Sequence, residues 1–216
     1  MPTPAGQQVP CAWHYPTSLI EVRPLLKDRR LMLRPVLPQD GELLACMINA
    51  LSEPSRLRRF PNAQLPASAD ALRGMSCVDF VEHLALVVTV QDQGSECVVA
   101  DARYRIDERD GSAEFAIVVD DAWQRQGIAT WALQGLSRAA IAAGIQRLRC
   151  YLPADNAPML ALLGRCQFRC TNDSSDVAII HAEVQPNAFN AHRASRQEPK
   201  RPAGWIQRLL GSTLTP

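Results

Sequence analysis

Residues 124–129, Gln-Arg-Gln-Gly-Ile-Ala, stand where an apolar run through Ile117, Val118 and Val119 gives way to a helical pattern opening on Gly127. A strand delivering the chain into such a turn and then a helix has the parts of an anion site. The first amides of a helix lack internal acceptors and point at whatever lies before them. The helix dipole adds partial positive charge there, and glycine lets a phosphate approach the backbone. Gly127 and Ala129 are the small positions that clear space, and Gln124, Arg125 and Gln126 carry donors suited to a pyrophosphate. A tight turn with no ligand accounts for the same residues. Neither G-x-x-x-x-G-K-[ST] nor G-x-G-x-x-G is present. One acid, Glu114, heads the apolar run; strand alternation puts it with Ala116 and Val118, opposite Phe115, Ile117 and Val119. It reads either as a group for proton chemistry or as a strand-end glutamate paired with Arg103 or Arg105 on the neighbouring strand.

The elements that must position these residues follow from pattern. "RLMLRPV" (30–36) is extended. A helix is expected from about Gln39 to Leu51, where Leu43, Met47 and Leu51 share a face, and "SEPSRLRRF" continues it with Ser52 as cap and Pro54 in the first turn. "PNAQLPASAD" reads as a loop. Runs 84–91, 97–106 and 113–120 are three successive antiparallel strands with turns between them. Ile128, Ala132, Leu136, Ala139 and Ala143 form a helical stripe that Gly144 stops. Then come a strand (145–153) with Leu148, Cys150 and Leu152 on one side, a helix (156–166) and a last strand (176–184). The order β–α–α–β–β–β–α–β–α–β implies a single α/β (α+β) domain, a mixed twisted sheet flanked by helices.

Residues 1–24 read as a mobile lead-in, 25–185 as the domain, and 186–216 as a basic, disordered tail with five Lys or Arg against Glu198. With 47% hydrophobic and 21% charged residues and a net charge of +1, the composition gives no argument for a nucleic-acid or membrane partner. No signal pattern or membrane-length apolar run is visible, so a cytoplasmic location is expected. The seven cysteines read as reduced thiols packed as small hydrophobes. Cys166 and Cys170 are the one close pair, and no further ligands stand at zinc spacing, so no metal is expected.

"QRQGIA" after a strand ending in Val-Val resembles the acyl-CoA signature of the GNAT N-acetyltransferase superfamily, Q/R-x-x-G-x-G/A. The resemblance runs from about residue 29 to 184. "LKDRRLMLRPVLPQDGELLACMINALSEPSRLRRF", "FVEHLALVVTV", "AEFAIVVDDAWQRQGIATWAL" and "RLRCYLPADNAPMLALLGRCQF" are similar to the acetyltransferase domain of bacterial Pat-type protein lysine acetyltransferases, of which this chain would be the stand-alone form.

This resemblance implies acetyl-CoA or a related acyl-CoA as acyl donor. The backbone at Ile117, Val118 and Val119 would pair with the pantetheine arm. Amides from Gln126 to Thr130 would hold the pyrophosphate, flanked by Gln124 and Arg125. Asn156 matches the asparagine near the pantetheine or thiol, and it equally suits the N-cap of the following helix. Glu114 matches the family's glutamate and would act as general base, because transfer needs a neutral amine and a lysine is protonated near neutral pH. On a largely apolar face it would hold a proton more tightly than in water. The acceptor implied is a protein lysine. A small-molecule amine is the alternative acceptor, and an acyl-CoA-binding sensor with little catalysis is the alternative function. The chain departs from the superfamily pattern at Leu163, where many members have a tyrosine acid, and at Gln167, where a glycine is usual. Asp120 and Asp121 read as a solvated turn or as an attraction for a cationic amine.

Overall fold

The computed structural model describes residues 15–24, 30–60, 69–92, 94–173 and 176–188. Eight strands form one sheet in the order β1-β2-β3-β4-β5-β6-β8-β7. β1 (Glu21–Pro24), β2 (Arg30–Pro35), β3 (His83–Asp92), β4 (Ser95–Asp107) and β5 (Ser112–Val119) run as an antiparallel series. β6 (Leu148–Pro153) joins β5 in parallel, then pairs antiparallel with β8 (Ile179–Val184), whose far side takes β7 (Arg169–Asn172). The three central strands expected from alternation are present with their turns.

Helices cover both faces, as a mixed sheet buried on two sides requires. On one face α1 (Gly41–Ala50), α2 (Glu53–Arg59) and α3 (Ala69–Ser76) enclose a core of Val36, Leu44, Met47, Ile48, Val87 and Val118. Ser52 caps α2 by accepting from the Ser55 N–H, with Pro54 in its first turn. On the other face α4 (Ile128–Ala142) and α5 (Ala157–Arg165) pack over the larger core, built around Leu33, Leu86, Phe115, Trp131, Leu136 and Leu148. α4 lies so close to β2 and β3 that a Cβ on Gly135 would meet Leu86 Cδ1 at 2.8 Å and Leu33 Cδ2 at 2.9 Å. Gly144, at φ +72°, ends this segment as expected.

Four expectations are corrected. Residues 15–24 are not a mobile lead-in: Tyr15 donates to Pro35 O at 2.9 Å, Leu19 is buried, and β1 is paired along its length. Trp131 Nε1 donates to Glu21 at 2.6 Å, Arg138 pairs with Glu21, and the Arg23 guanidinium lies 4.4 Å above the Trp131 ring, so α4 fastens the strand. α3 begins inside the stretch read as a loop. β7 adds a strand after Phe168, where none was expected. The domain also reaches past residue 185, since Pro186 is buried and accepts from Ser137 Oγ at 2.9 Å. Residues 1–14 and 189–216, where the rest of the lead-in and nearly all of the tail fall, lie outside the described residues.

Candidate active site

β5 and β6 are parallel, and each leads into a helix at its C-terminal end. In open α/β sheets the crevice beyond such strand ends is where ligands bind. Here the crevice is widened, because the two strands pair only through Ala113 with Leu148 and Glu114 with Arg149. After those residues the ladder stops, although β5 continues to Val119 and β6 to Pro153.

Strand alternation decides which peptide groups face this opening. Ala113 N–H donates toward β6, to Arg147 O at 2.8 Å, while Asp120 N–H donates toward β4, to Val99 O at 2.9 Å. Phe115, Ile117 and Val119 therefore turn their peptide groups to the opening, and Val118 turns its own to β4. Among the strand residues singled out from sequence, Ile117 and Val119 have edge groups available there. Val118 instead contributes a side chain to the α1–α3 core.

At the mouth, α4 starts from Gly127 at φ +81°. A Cβ there would meet nothing within 4 Å, so space in front of the helix is open while the backbone requires glycine. The first intrahelical bond is Trp131 N–H to Gly127 O at 3.0 Å, which leaves the amides of Ile128, Ala129 and Thr130 without intrahelical acceptors. Arg125, also at positive φ (61°), is exposed and presents its side chain to water at the same mouth. Gln126 is exposed and bonds back to Ala122 O at 3.2 Å. Asn156 caps α5, with Oδ1 accepting from Met159 N–H at 3.3 Å, and is itself buried.

Gln124 has a structural occupation. Its Nε2 reaches Val119 O at 3.2 Å, Ser55 Oγ at 3.4 Å and Asp121 Oδ1 at 3.1 Å. Asp121 also accepts from Ser52 N–H at 2.8 Å, Ser52 Oγ at 3.0 Å and Ser55 Oγ at 2.7 Å. Partial burial alone would raise the Asp121 carboxyl, and these donors more than offset it and hold it below the usual range. Asp121 is an exposed turn residue, as expected, but its carboxylate is engaged: it joins the start of α2 to the loop before α4. Asp120 caps its own turn by accepting from Ala122 N–H at 2.9 Å.

Glu114 opens onto a groove of about 670 Å³ on the α1–α3 face, beyond where those helices cover the sheet. It is exposed, and among the described residues its carboxylate has neither a hydrogen-bond nor an ion-pair partner. The arginines that could neutralise it are held elsewhere or left free. Arg103 chelates Asp101, Arg149 is held by Asp107 at 2.6 Å and Asp110 at 3.1 Å, and Arg105 is exposed with no partner among the described residues. The surroundings of Glu114 are therefore charged rather than apolar, which corrects the expectation of an apolar face. His83, Arg105, Glu114 and Arg149 occupy one register row across β3, β4, β5 and β6. Sequence reasoning did not find this row, since its members come from four separate strands.

Leu163 is fully buried in the larger core, so no acid occupies the place of the superfamily tyrosine. Gln167 keeps φ at +61°, the left-handed turn a glycine would adopt without strain. Among the described residues no group of three or more His, Cys, Asp or Glu is arranged to hold a metal, and no helix is long and apolar enough to cross a membrane. Cys150 and Cys166 lie in the core, where burial pushes their thiols up to about 12 and about 11.

The chain matches the family described as acetyltransferase (GNAT) domain over residues 30–169. It belongs to that family. It is 30% identical over 155 residues to Acetyltransferase Pat of Mycolicibacterium smegmatis, covering 71% of this chain and 46% of that protein. Over 159 residues it is 28% identical to Acetyltransferase PA5475 of Pseudomonas aeruginosa, covering 72% and 86%. The chain therefore spans about half the length of the first of these relatives. The GNAT domain of S. lividans PAT superposes with a TM-score of 0.69 at 24% identity, over 79% of this chain and 99% of that one, which is a likeness of fold. For a GNAT chain the parted β5–β6 edge and the open space before Gly127 fit the extended thioester arm of an acyl-CoA and the pyrophosphate that follows it.

Proposed function

We propose that this protein transfers an acetyl group from acetyl-CoA to the side-chain amine of a protein lysine, with Glu114 as general base. The observation that carries the reading is the unpartnered carboxylate of Glu114 at the point where β5 and β6 separate. Its likeness to the two acetyltransferases named above favours the same activity. Acetyl-CoA supplies the acetyl group as a thioester: the amine attacks its carbonyl carbon, the C–S bond breaks as the C–N bond is made, and coenzyme A leaves as a thiolate that takes a proton from water.

The chain's own residues divide the remaining work. Edge peptide groups of Ile117 and Val119 hold the extended arm of the donor, and an N–H aimed at the carbonyl oxygen stabilises the charge that develops there. Amides of Ile128, Ala129 and Thr130 bind the pyrophosphate, aided by Arg125. Asn156, standing at the head of α5, borders the same opening from the β6 side. A lysine enters as an ammonium, and Glu114 Oε, directly or through a water, takes the proton that nucleophilic attack requires it to lose. Both donor and acceptor are held together, so transfer is direct and no acetyl group rests on the protein; the buried, protonated thiols of Cys150 and Cys166 suit no such role.

Incubating the purified protein with acetyl-CoA and a bacterial lysate, then mapping acetylated residues by mass spectrometry, tests the reading. New acetyl-lysines that require both protein and acetyl-CoA are expected. Acetylation confined to small amines would contradict the choice of acceptor.

A further inference from the structure

The groove beside Glu114 has a cationic floor that the chemistry above leaves unused. Asp101 is fully buried beneath it and is shared by two guanidinium groups. Arg103 binds it twice, at 3.0 Å through Nε and 2.5 Å through Nη2, and Arg59 reaches it through Nη2 at 3.4 Å. Arg59 arrives from the end of α2 and is itself desolvated, and its Nε is buried with no acceptor. Arg105, two residues along the same face of β4 from Arg103, is the cross-strand neighbour of Glu114. Two guanidiniums with little exposure to water thus share one buried carboxylate, a buried donor is left over on Arg59, and Arg105 stands exposed beside them.

Burying cations without matching anions is unfavourable, so such a cluster is completed by an anion that arrives with a ligand. His83, on the opposite side of Arg105, responds to the same field: burial, Arg103 and Arg105 all push its imidazole below the ordinary value. The remaining carboxylates of the groove do not cancel the floor. Asp107 is taken by Arg149, Glu82 and Glu108 are exposed at the rim, and Glu114, across from Arg105, makes no ion pair with it among the described residues.

We propose that Arg59, Arg103 and Arg105 form a carboxylate subsite for the acceptor, which therefore carries an acidic group close to the amine that Glu114 deprotonates. Guanidinium forks bind carboxylates in two-point geometry, so the subsite would orient the acceptor as well as attract it. The rim glutamates disfavour a long acidic tract, so the fit is to a single acidic residue near the target lysine. The proposal rests on the acetyltransferase reading and narrows its acceptor.

Three peptides identical except for Glu, Gln or Arg beside a single lysine provide the test. kcat/KM is measured for each, and the Kd of the corresponding acetyl-lysine peptides is measured by titration. Nα-acetyl-lysine is compared with its amide in parallel, to separate a side-chain carboxylate from the terminal one of a small amine. The Glu peptide is expected to exceed the Gln peptide about tenfold in kcat/KM and in affinity. In Arg105→Gln that ratio falls to about one, and in Arg105→Glu it inverts, with thermal melting confirming that each variant is folded. Equal wild-type values for the Glu and Gln peptides together with equal values for Nα-acetyl-lysine and its amide, or a ratio unchanged in both Arg105 variants, would overturn the proposal. A preference seen only for Nα-acetyl-lysine over its amide, and lost in Arg105→Gln, supports the subsite and assigns it to a small amine. If no peptide is acetylated but the Glu peptide still binds more tightly, the acetyltransferase reading fails and the subsite stands.

Discussion

Glu114 on β5 and Arg149 on β6 are the last pair joined across these parallel strands, and the sheet opens beyond them. Arg149 is tied down by Asp107 and Asp110, carried by the end of β4 and the turn that follows it. Among the described residues Glu114 is left unpartnered at the start of the opening. The same two residues therefore mark the close of the β5–β6 ladder and line the groove proposed for the acceptor.

Gly127 should not tolerate an acid. Gly127→Glu strains a backbone held at φ +81° and puts negative charge where a pyrophosphate is proposed to sit. Acetyl-CoA affinity measured by calorimetry should fall by at least a hundredfold while the far-UV spectrum is kept. Unchanged affinity would place the pyrophosphate elsewhere.

Asp121 gathers donors from Ser52, Ser55 and Gln124, joining α2 to the loop before α4. Asp121→Ala is expected to destabilise the fold by on the order of 1 kcal/mol, kept small by exposure to water. Its larger effect should be a severalfold rise in KM for acetyl-CoA, since the Gln124 brace on Val119 O loosens. A melting shift with no change in KM would make the bridge purely structural.

Gln167 holds a left-handed turn that costs a side-chain-bearing residue about 1 kcal/mol. Gln167→Gly should therefore raise the melting temperature or leave it level, the relief of strain being partly offset by greater freedom of the unfolded chain. Marked destabilisation in a denaturant titration would contradict the strain argument.

His83 gives the stability a pH signature. Its folded pKa lies below the unfolded value of about 6.5, because of burial and the nearby Arg103 and Arg105. The unfolded chain then binds more protons, so this contribution is complete above pH 7 and is lost as pH falls through 6.5 toward the folded pKa. His83→Gln should flatten the loss of stability between pH 7 and 5.5 in denaturant titrations. An equal slope in both proteins would show that His83 is not its source.

What was legible in the sequence is what local periodicity encodes. The alternation in 84–91, 97–106 and 113–120, the stripe from Ile128, and the caps at Ser52 and Asn156 each depend on a few neighbouring residues, and all appear in the fold. β1 escaped because its alternation is inverted: Val22 is exposed, while the charged Glu21 and Arg23 are the half-buried positions, held by Trp131 and Arg138 far along the chain. β7 escaped because all four of its residues are exposed and carry no apolar signal. In the site, the turn and its glycine were legible from residue types. The work of Gln124 and Asp121 was not, since their partners Ser52 and Ser55 lie nearly 70 residues earlier. The cluster of Asp101 with Arg59 and Arg103 was hidden for the same reason.

The most direct test of Glu114 as base is the single substitution Glu114→Gln, which keeps size and removes the proton acceptor. Acetyl-CoA affinity and transfer to a lysine peptide are measured together across pH 6.5 to 9. The account predicts affinity within about twofold of wild type and kcat lower by about a hundredfold or more near neutral pH. The deficit should narrow as rising pH supplies neutral amine. A variant that transfers acetyl at the wild-type rate with the wild-type pH profile would contradict it.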